Sequence, residues 1–147
     1  MNKKHKISKL PSLSYDENTK GVISMSFTFK GIDHVQLAAP RGSEDQARAF
    51  FVGVLGLTEI EKPASLKKKG GVWFQLANYQ IHIGIEEPFL PARKAHPAFE
   101  IENLEELKEH LTKHQIEFKK DGELPGADRI YLEDPFGNRM EILEWQQ

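Results

Sequence analysis

Hydrophobic and polar positions recur along this chain with two periods, two and about 3.6, the signatures of half-buried strands and amphipathic helices. The stretch "YQIHIGIE" (Tyr79 to Glu86) alternates strictly. Ile81, Ile83 and Ile85 fall on one face, and Gln80, His82, Gly84 and Glu86 on the other. "GIDHVQLAAP" reads the same way, with His34 and Gln36 opposite Val35 and Leu37. In "GSEDQARAFFVGVLG" the period changes, and Ala47, Phe50, Phe51, Val54 and Leu55 form a helical stripe. Ser43 and Gln46 have the spacing of a capping box, and Gly56 is placed to end the helix. "LTEIEK", "GVWFQLA" and "YQIHIGIE" follow as three strands, the last two joined by a tight turn near Asn78.

The same order then returns. "HPAFEI" predicts a strand with His96, Ala98 and Glu100 on one face. "NLEELKEHLTKHQ" predicts a helix with Asn103 as N-cap, Glu106 closing the box, and Leu104, Leu107 and Leu111 on the buried side. "IEFKKD", "RIYLED" and "NRMEILEW" are strands, the last two joined by the turn Asp134-Pro135-Phe136-Gly137. The pattern is therefore α+β, with two tandem βαβββ modules over 27–87 and 96–146 and a linker over 88–95. An internal repeat of this size constrains the fold more than any single motif.

Composition changes the picture at a few points. The chain has 147 residues, 39% hydrophobic and 29% charged, with net charge -2, which fits one soluble domain. Residues 1–24 are rich in Lys, Ser and Asn without periodicity and read as a disordered extension preceding a domain over 25–147. No basic stripe points to nucleic acid, no apolar run is long enough to span a membrane, and no signal-like segment opens the chain, so the expected location is the cytoplasm. There is no cysteine, which excludes disulfides, thiolate nucleophiles and Cys-ligated zinc.

Any metal must then be held by His, Asp or Glu, and the repeat supplies candidates. The first strand of each module carries a histidine, His34 and His96, and the fourth carries His82 and Glu141. The separations are similar, 48 residues from His34 to His82 and 45 from His96 to Glu141. Singly, each reads as an ordinary strand residue; equivalent places in a repeat are harder to attribute to scatter. If the modules are related by a pseudo-twofold axis, three imidazoles and one carboxylate face one point. That set suits Zn, Ni, Co, Mn or Fe and is poor for Ca or Mg. His110 and His114 are spaced i, i+4 but sit among Lys108, Glu109 and Lys113, as on a solvated helix face. The run Lys67-Lys68-Lys69 before Gly70-Gly71 reads as a charged loop.

"DHVQLAAP", "ARAFFVGVLGLTE", "HPAFEIENLEEL" and "DPFGNRMEILE" together resemble the vicinal oxygen chelate superfamily, over about Phe27 to Trp145. This superfamily includes glyoxalase I, extradiol dioxygenases, methylmalonyl-CoA epimerase, fosfomycin-resistance transferases and bleomycin-resistance proteins. The resemblance implies paired βαβββ units curling into one curved mixed sheet around a metal cleft, helices outside, within one chain or by exchange between two chains of a homodimer. It places metal ligands at His34, His96 and Glu141, with His82 at the position where subfamilies diverge. That position is commonly glutamate in glyoxalase I and glutamine in the epimerase, and histidine departs from both. The implied activity is a glyoxalase-like isomerase or lyase acting on a small molecule that chelates the metal through two oxygens. Glu141 is then the first candidate for the base and His82 the second. Strand alternation adds Gln36, Trp73, Gln75, Arg129 and Tyr131 as substrate-binding residues, Arg129 being suited to a carboxylate or phosphate. Two alternatives are an iron(II) extradiol dioxygenase using His34, His96 and Glu141, and a non-catalytic binding protein of the bleomycin-resistance kind.

Overall fold

Each predicted module closes a four-stranded mixed sheet in this computed structural model, which describes residues 26–146. The extension predicted over 1–24 lies outside the described residues. The chain divides after Lys30, with Gly31–Gln147 as one compact unit. Of the preceding unit, Ser26 to Lys30 are described, and there the rings of Phe27 and Phe29 meet edge to face at 5.8 Å.

Module one runs β1 (His34–Ala39), α1 (Glu44–Phe51), β2 (Thr58–Ile60), α2 (Ala64–Lys67), β3 (Val72–Leu76) and β4 (Tyr79–Ile85). Module two runs β5 (Ala98–Glu100), α3 (Leu104–Lys113), β6 (Phe118–Asp121), β7 (Ala127–Glu133) and β8 (Arg139–Trp145). The sheet orders are β1-β4-β3-β2 and β5-β8-β7-β6, with the first and fourth strands of each module parallel and the other pairs antiparallel. The repeat read from the sequence is therefore a repeat of topology. The short helix α2 takes up the start of the predicted lysine-rich loop. No helix among the described residues is long and apolar enough to cross a membrane.

One apolar core serves both modules. It joins Phe50, Phe51, Phe74, Ile81 and Ile83 of module one to Leu104, Leu111, Ile130, Met140 and Ile142 of module two. The predicted stripe of α1 is buried at Ala47, Phe50 and Phe51, while Val54 and Leu55 lie past the helix end and are partly buried. Phe51 is fully enclosed and stacks on Phe74 at 5.1 Å.

Neither predicted capping box forms. Ser43 makes no side-chain cap bond, and its buried hydroxyl has no hydrogen-bond partner among the described residues. At α3, Asn103 adopts a left-handed conformation (φ 62) without a side-chain cap bond. A distant residue does the capping instead, since the Glu144 carboxylate accepts from the backbone N–H groups of Asn103 and Leu104, each at 2.9 Å. An acid on β8 thus meets the positive end of the helix.

The "DPFGN" turn between β7 and β8 does more than reverse the chain. Asp134 Oδ1 accepts from the N–H groups of Phe136 and Asn138, both at 2.9 Å. Asn138 Nδ2 donates to Asp134 Oδ2 and, across the modules, to the carbonyl of Ala38 on β1, each at 2.7 Å. His110 makes a second bridge, its Nε2 meeting the carbonyl of Val54 at 2.8 Å. The predicted solvent-facing pair is thus half engaged in holding α3 to the end of module one's helical segment.

Candidate functional site

The polar faces of the two sheets carry matching groups at matching register. Trp73 on β3 lies directly opposite His82 on β4, and Tyr131 on β7 lies directly opposite Glu141 on β8. His34 opens β1, and His96 stands two residues before β5. Each half-site is therefore a histidine, a candidate ligand and an aromatic ring.

In module two the candidate ligands touch. His96 Nε2 lies 3.1 Å from Glu141 Oε2, and His96 Nδ1 lies 2.7 Å from the carbonyl of Lys94. Arg129 NH1 donates to Glu141 Oε1 at 3.3 Å, while its other nitrogens hold Asp121 at 2.7 to 2.8 Å. Burial is the largest single influence on Glu141 and raises its pKa. Hydrogen bonds from His96, Tyr131 and Arg129 together outweigh it and hold the carboxyl below the ordinary glutamate value. Burial, followed by the neighbouring Glu141 carboxylate, pushes the Tyr131 hydroxyl up.

In module one the rings stack. His82 lies between Trp73, at 3.8 Å and 2° from parallel, and His34, at 4.1 Å and 16°. Its Nε2–H donates to Gln80 Oε1 at 2.8 Å, which leaves Nδ1 with the lone pair. His82 is only 5% exposed, so the strand face read as wet is covered here. Burial, followed by the neighbouring His34, lowers its pKa and keeps the imidazole neutral at neutral pH. His34 Nδ1 meets Asp33 Oδ1 at 2.7 Å.

Within one chain these pairs do not converge. Among the described residues, no three of His, Cys, Asp and Glu gather into a group that holds a metal ion. The four residues read as facing one point stand in the described chain as two pairs, His34 with His82 and His96 with Glu141. The reason lies in the pairing: each module's parallel β1–β4 or β5–β8 ladder brings its own two residues together, and no ladder joins β1 to β5.

Other assignments change as well. Arg129 is committed to Asp121 and Glu141, so it positions the carboxylate rather than standing free for a substrate. Gln75 donates its amide to the carbonyls of Ala77 and Tyr79, both at 2.8 Å, and serves the β3–β4 turn. Gln36 lies over Gly84, where an added Cβ would sit 2.8 Å from its Nε2. Gln36 and His96 line one cavity of about 470 Å³ under the linker, together with Leu90 and Arg139. Arg139 was missed from the sequence, although it stands two residues before Glu141 and so shares its strand face.

The donor chemistry fits a divalent transition metal at the module-two pair and at His34. His34 and His96 each place Nδ1 against an oxygen, which leaves Nε2 as the ligand atom, the usual second-sphere support of a metal-bound imidazole. Metal–nitrogen and metal–oxygen bonds of about 2.0 to 2.2 Å put neighbouring ligands about 3 Å apart. The 3.1 Å between His96 and Glu141 agrees with that spacing. Both nitrogens of His96 face oxygens, the carbonyl of Lys94 and the Glu141 carboxylate. His82 fits less well, because its Nε2 is engaged and its ring is clamped.

Comparison with known families places residues 31–142 in the Glyoxalase/Bleomycin resistance protein/Dioxygenase superfamily. The chain belongs to this superfamily, and its paired βαβββ modules agree with that. Among solved structures it is similar to a glyoxalase family protein from Bacillus anthracis, with 49% identity over 83% of this chain and 100% of that one, at a TM-score of 0.81. A glyoxalase family protein from Enterococcus faecalis is 25% identical over 79% and 98%, at 0.65. Lactoylglutathione lyase from Agrobacterium tumefaciens shares the fold at 21% identity over 78% and 93%, at 0.63. No curated protein matches the chain.

Proposed function

We propose that this protein is a divalent-metal-dependent enzyme of glyoxalase type, an isomerase or lyase acting on a small molecule that presents two neighbouring oxygens. The observation that carries this reading is the 3.1 Å approach of His96 Nε2 to Glu141 Oε2, backed by the oriented Nδ1 atoms of His34 and His96. His34, His96 and Glu141 would hold the metal, which supplies Lewis-acid stabilisation of the oxyanion or enediolate that develops on the substrate.

The remaining residues divide the other tasks. Glu141, held in its ionised form, suits the ligand role better than that of base. His82 is neutral with Nδ1 unprotonated, so it is the group to accept a proton next to the substrate carbonyl. Trp73 and Gln80 fix its ring, and Arg129 and Tyr131 fix Glu141.

The separation of the two pairs within one chain supports a site completed between two copies, with module one of one chain facing module two of its partner. The protein then works as a homodimer.

A second reading, an iron(II) extradiol dioxygenase, draws on the same observation about His82. Removing it from the ligand set leaves two histidines and one carboxylate, the facial set of non-haem iron oxygenases. Metal analysis of protein purified without chelator separates the two. Stoichiometric Ni, Co or Zn supports the isomerase or lyase, oxygen-sensitive Fe(II) supports the dioxygenase, and no metal removes both.

A further inference from the structure

We infer that Arg139 is the anion-recognition residue of this site, so that the substrate carries a carboxylate or phosphate besides its two chelating oxygens. This inference rests on the enzyme reading above and gives it a substrate class.

Three observations converge on Arg139. First, it makes no ion pair among the described residues, whereas Arg41, Arg48 and Arg129 are each paired with carboxylates. Its side chain is also outside the hydrogen-bonded set, although it is partly buried and faces Glu133 across the β7–β8 ladder. Second, its guanidinium carbon stands 4.0 Å over the Tyr131 ring. Stacking of this kind fixes the plane and leaves the N–H donors at its edge for the oxygens of a carboxylate or phosphate. The equivalent position in module one shows the contrast: Gln80, two residues before His82, is already bonded to that histidine.

Third, Arg139 lines two cavities at once. One is the space of about 470 Å³ that it shares with His96 and Gln36. The other, about 690 Å³, is shared with Arg93, Lys119 and Tyr131. Carboxylates also border this second cavity. Asp121 is occupied by Arg129, and Glu117 and Glu133 are exposed; among the described residues Arg139, Arg93 and Lys119 make no ion pair and are the cationic donors at this cavity. Arg139 and Glu141 are two strand residues apart on one face, a spacing on the order of 7 Å. A small molecule with its oxygen pair at His96 and Glu141 would reach Arg139 with an anionic group at about that distance. Tyr131, which touches His96 edge-on at 5.4 Å, forms the wall between the two ends.

The test uses full-length protein stripped of metal and desalted, titrated calorimetrically with inorganic phosphate and, in a separate arm, with propionate. Wild type is expected to bind at least one of the two, and the preferred arm tells phosphate from carboxylate. Arg139→Gln should weaken that binding roughly tenfold or more, as loss of charge-assisted hydrogen bonds requires. Arg139→Lys should recover part of it, and Arg93→Gln, a change on the exposed linker, should weaken it by less. Zinc uptake, measured separately, should be unchanged in Arg139→Gln. If zinc uptake fails in wild type while anion binding still depends on Arg139, the anion site stands and the enzyme reading falls. Equal anion binding by wild type, Arg139→Gln and Arg93→Gln overturns the inference, as does absence of binding to either anion.

Discussion

The indole of Trp73 lies flat on the imidazole of His82, with centroids 3.8 Å apart and planes 2° from parallel. This contact contributes to the burial that is the main cause of His82's lowered pKa. Trp73→Ala should therefore move the His82 pKa up towards the ordinary value of about 6.5, followed by NMR titration of the ring. Stability follows with a definite sign. The native pKa lies below the unfolded one, so the contribution of neutral His82 is present above about pH 6.5 and is lost as pH falls through the native value. In Trp73→Ala this part of the pH dependence should flatten.

A second expectation concerns the bond between the modules. Asn138 is 7% exposed and donates to both Asp134 and the carbonyl of Ala38. Asn138→Ala leaves those acceptors unmet at a buried site and should cost about 1–3 kcal/mol, measured by urea unfolding.

Much of this fold was legible because hydrophobic period and turn chemistry are local. The strand Tyr79–Ile85 and the turn after Asp134 needed no tertiary information, and the duplicated order of elements pointed to paired modules. What was illegible depends on contacts across the chain. Glu144 caps α3 from 40 residues away, so the local candidate Asn103 could not reveal it. Arg129 looked available until Asp121, eight residues earlier on the neighbouring strand, occupied it. His34, His82, His96 and Glu141 were found by their repeat positions, but alternation gives a face and not a distance. The division into two pairs therefore stayed hidden.

Metal affinity should depend on pH in a predictable direction. A metal would need the lone pair of His96 Nε2 and the ionised Glu141 carboxylate, so protons compete with it and binding weakens as pH falls. Glu141 adds a stability term of the same sense. Its native pKa is depressed, so its contribution is fully present above the ordinary glutamate value of about 4.3 and is lost as pH falls through the lower native value. Zinc titrations in buffers of different ionisation enthalpy would measure the proton release.

Completion of the site between two copies predicts complementation. His34→Ala supplies an intact module-two half, and Glu141→Ala an intact module-one half. Each variant alone should fail to take up metal. Unfolded and refolded together in equal amounts, they should regain about a quarter of wild-type uptake, the statistical share for two-fold dimers with mixed subunits. No recovery would place the site within one chain.

The most direct test of the central claim is a zinc titration of stripped wild-type protein beside Glu141→Gln. The substitution keeps the shape of the side chain and removes the charge that His96 and Arg129 face. The account predicts about one tightly bound ion per chain in wild type, as a tetrahedral or open catalytic site requires, and loss of that site in Glu141→Gln with cooperative unfolding retained. Equal uptake by the two proteins, or no tight uptake by wild type, would contradict it.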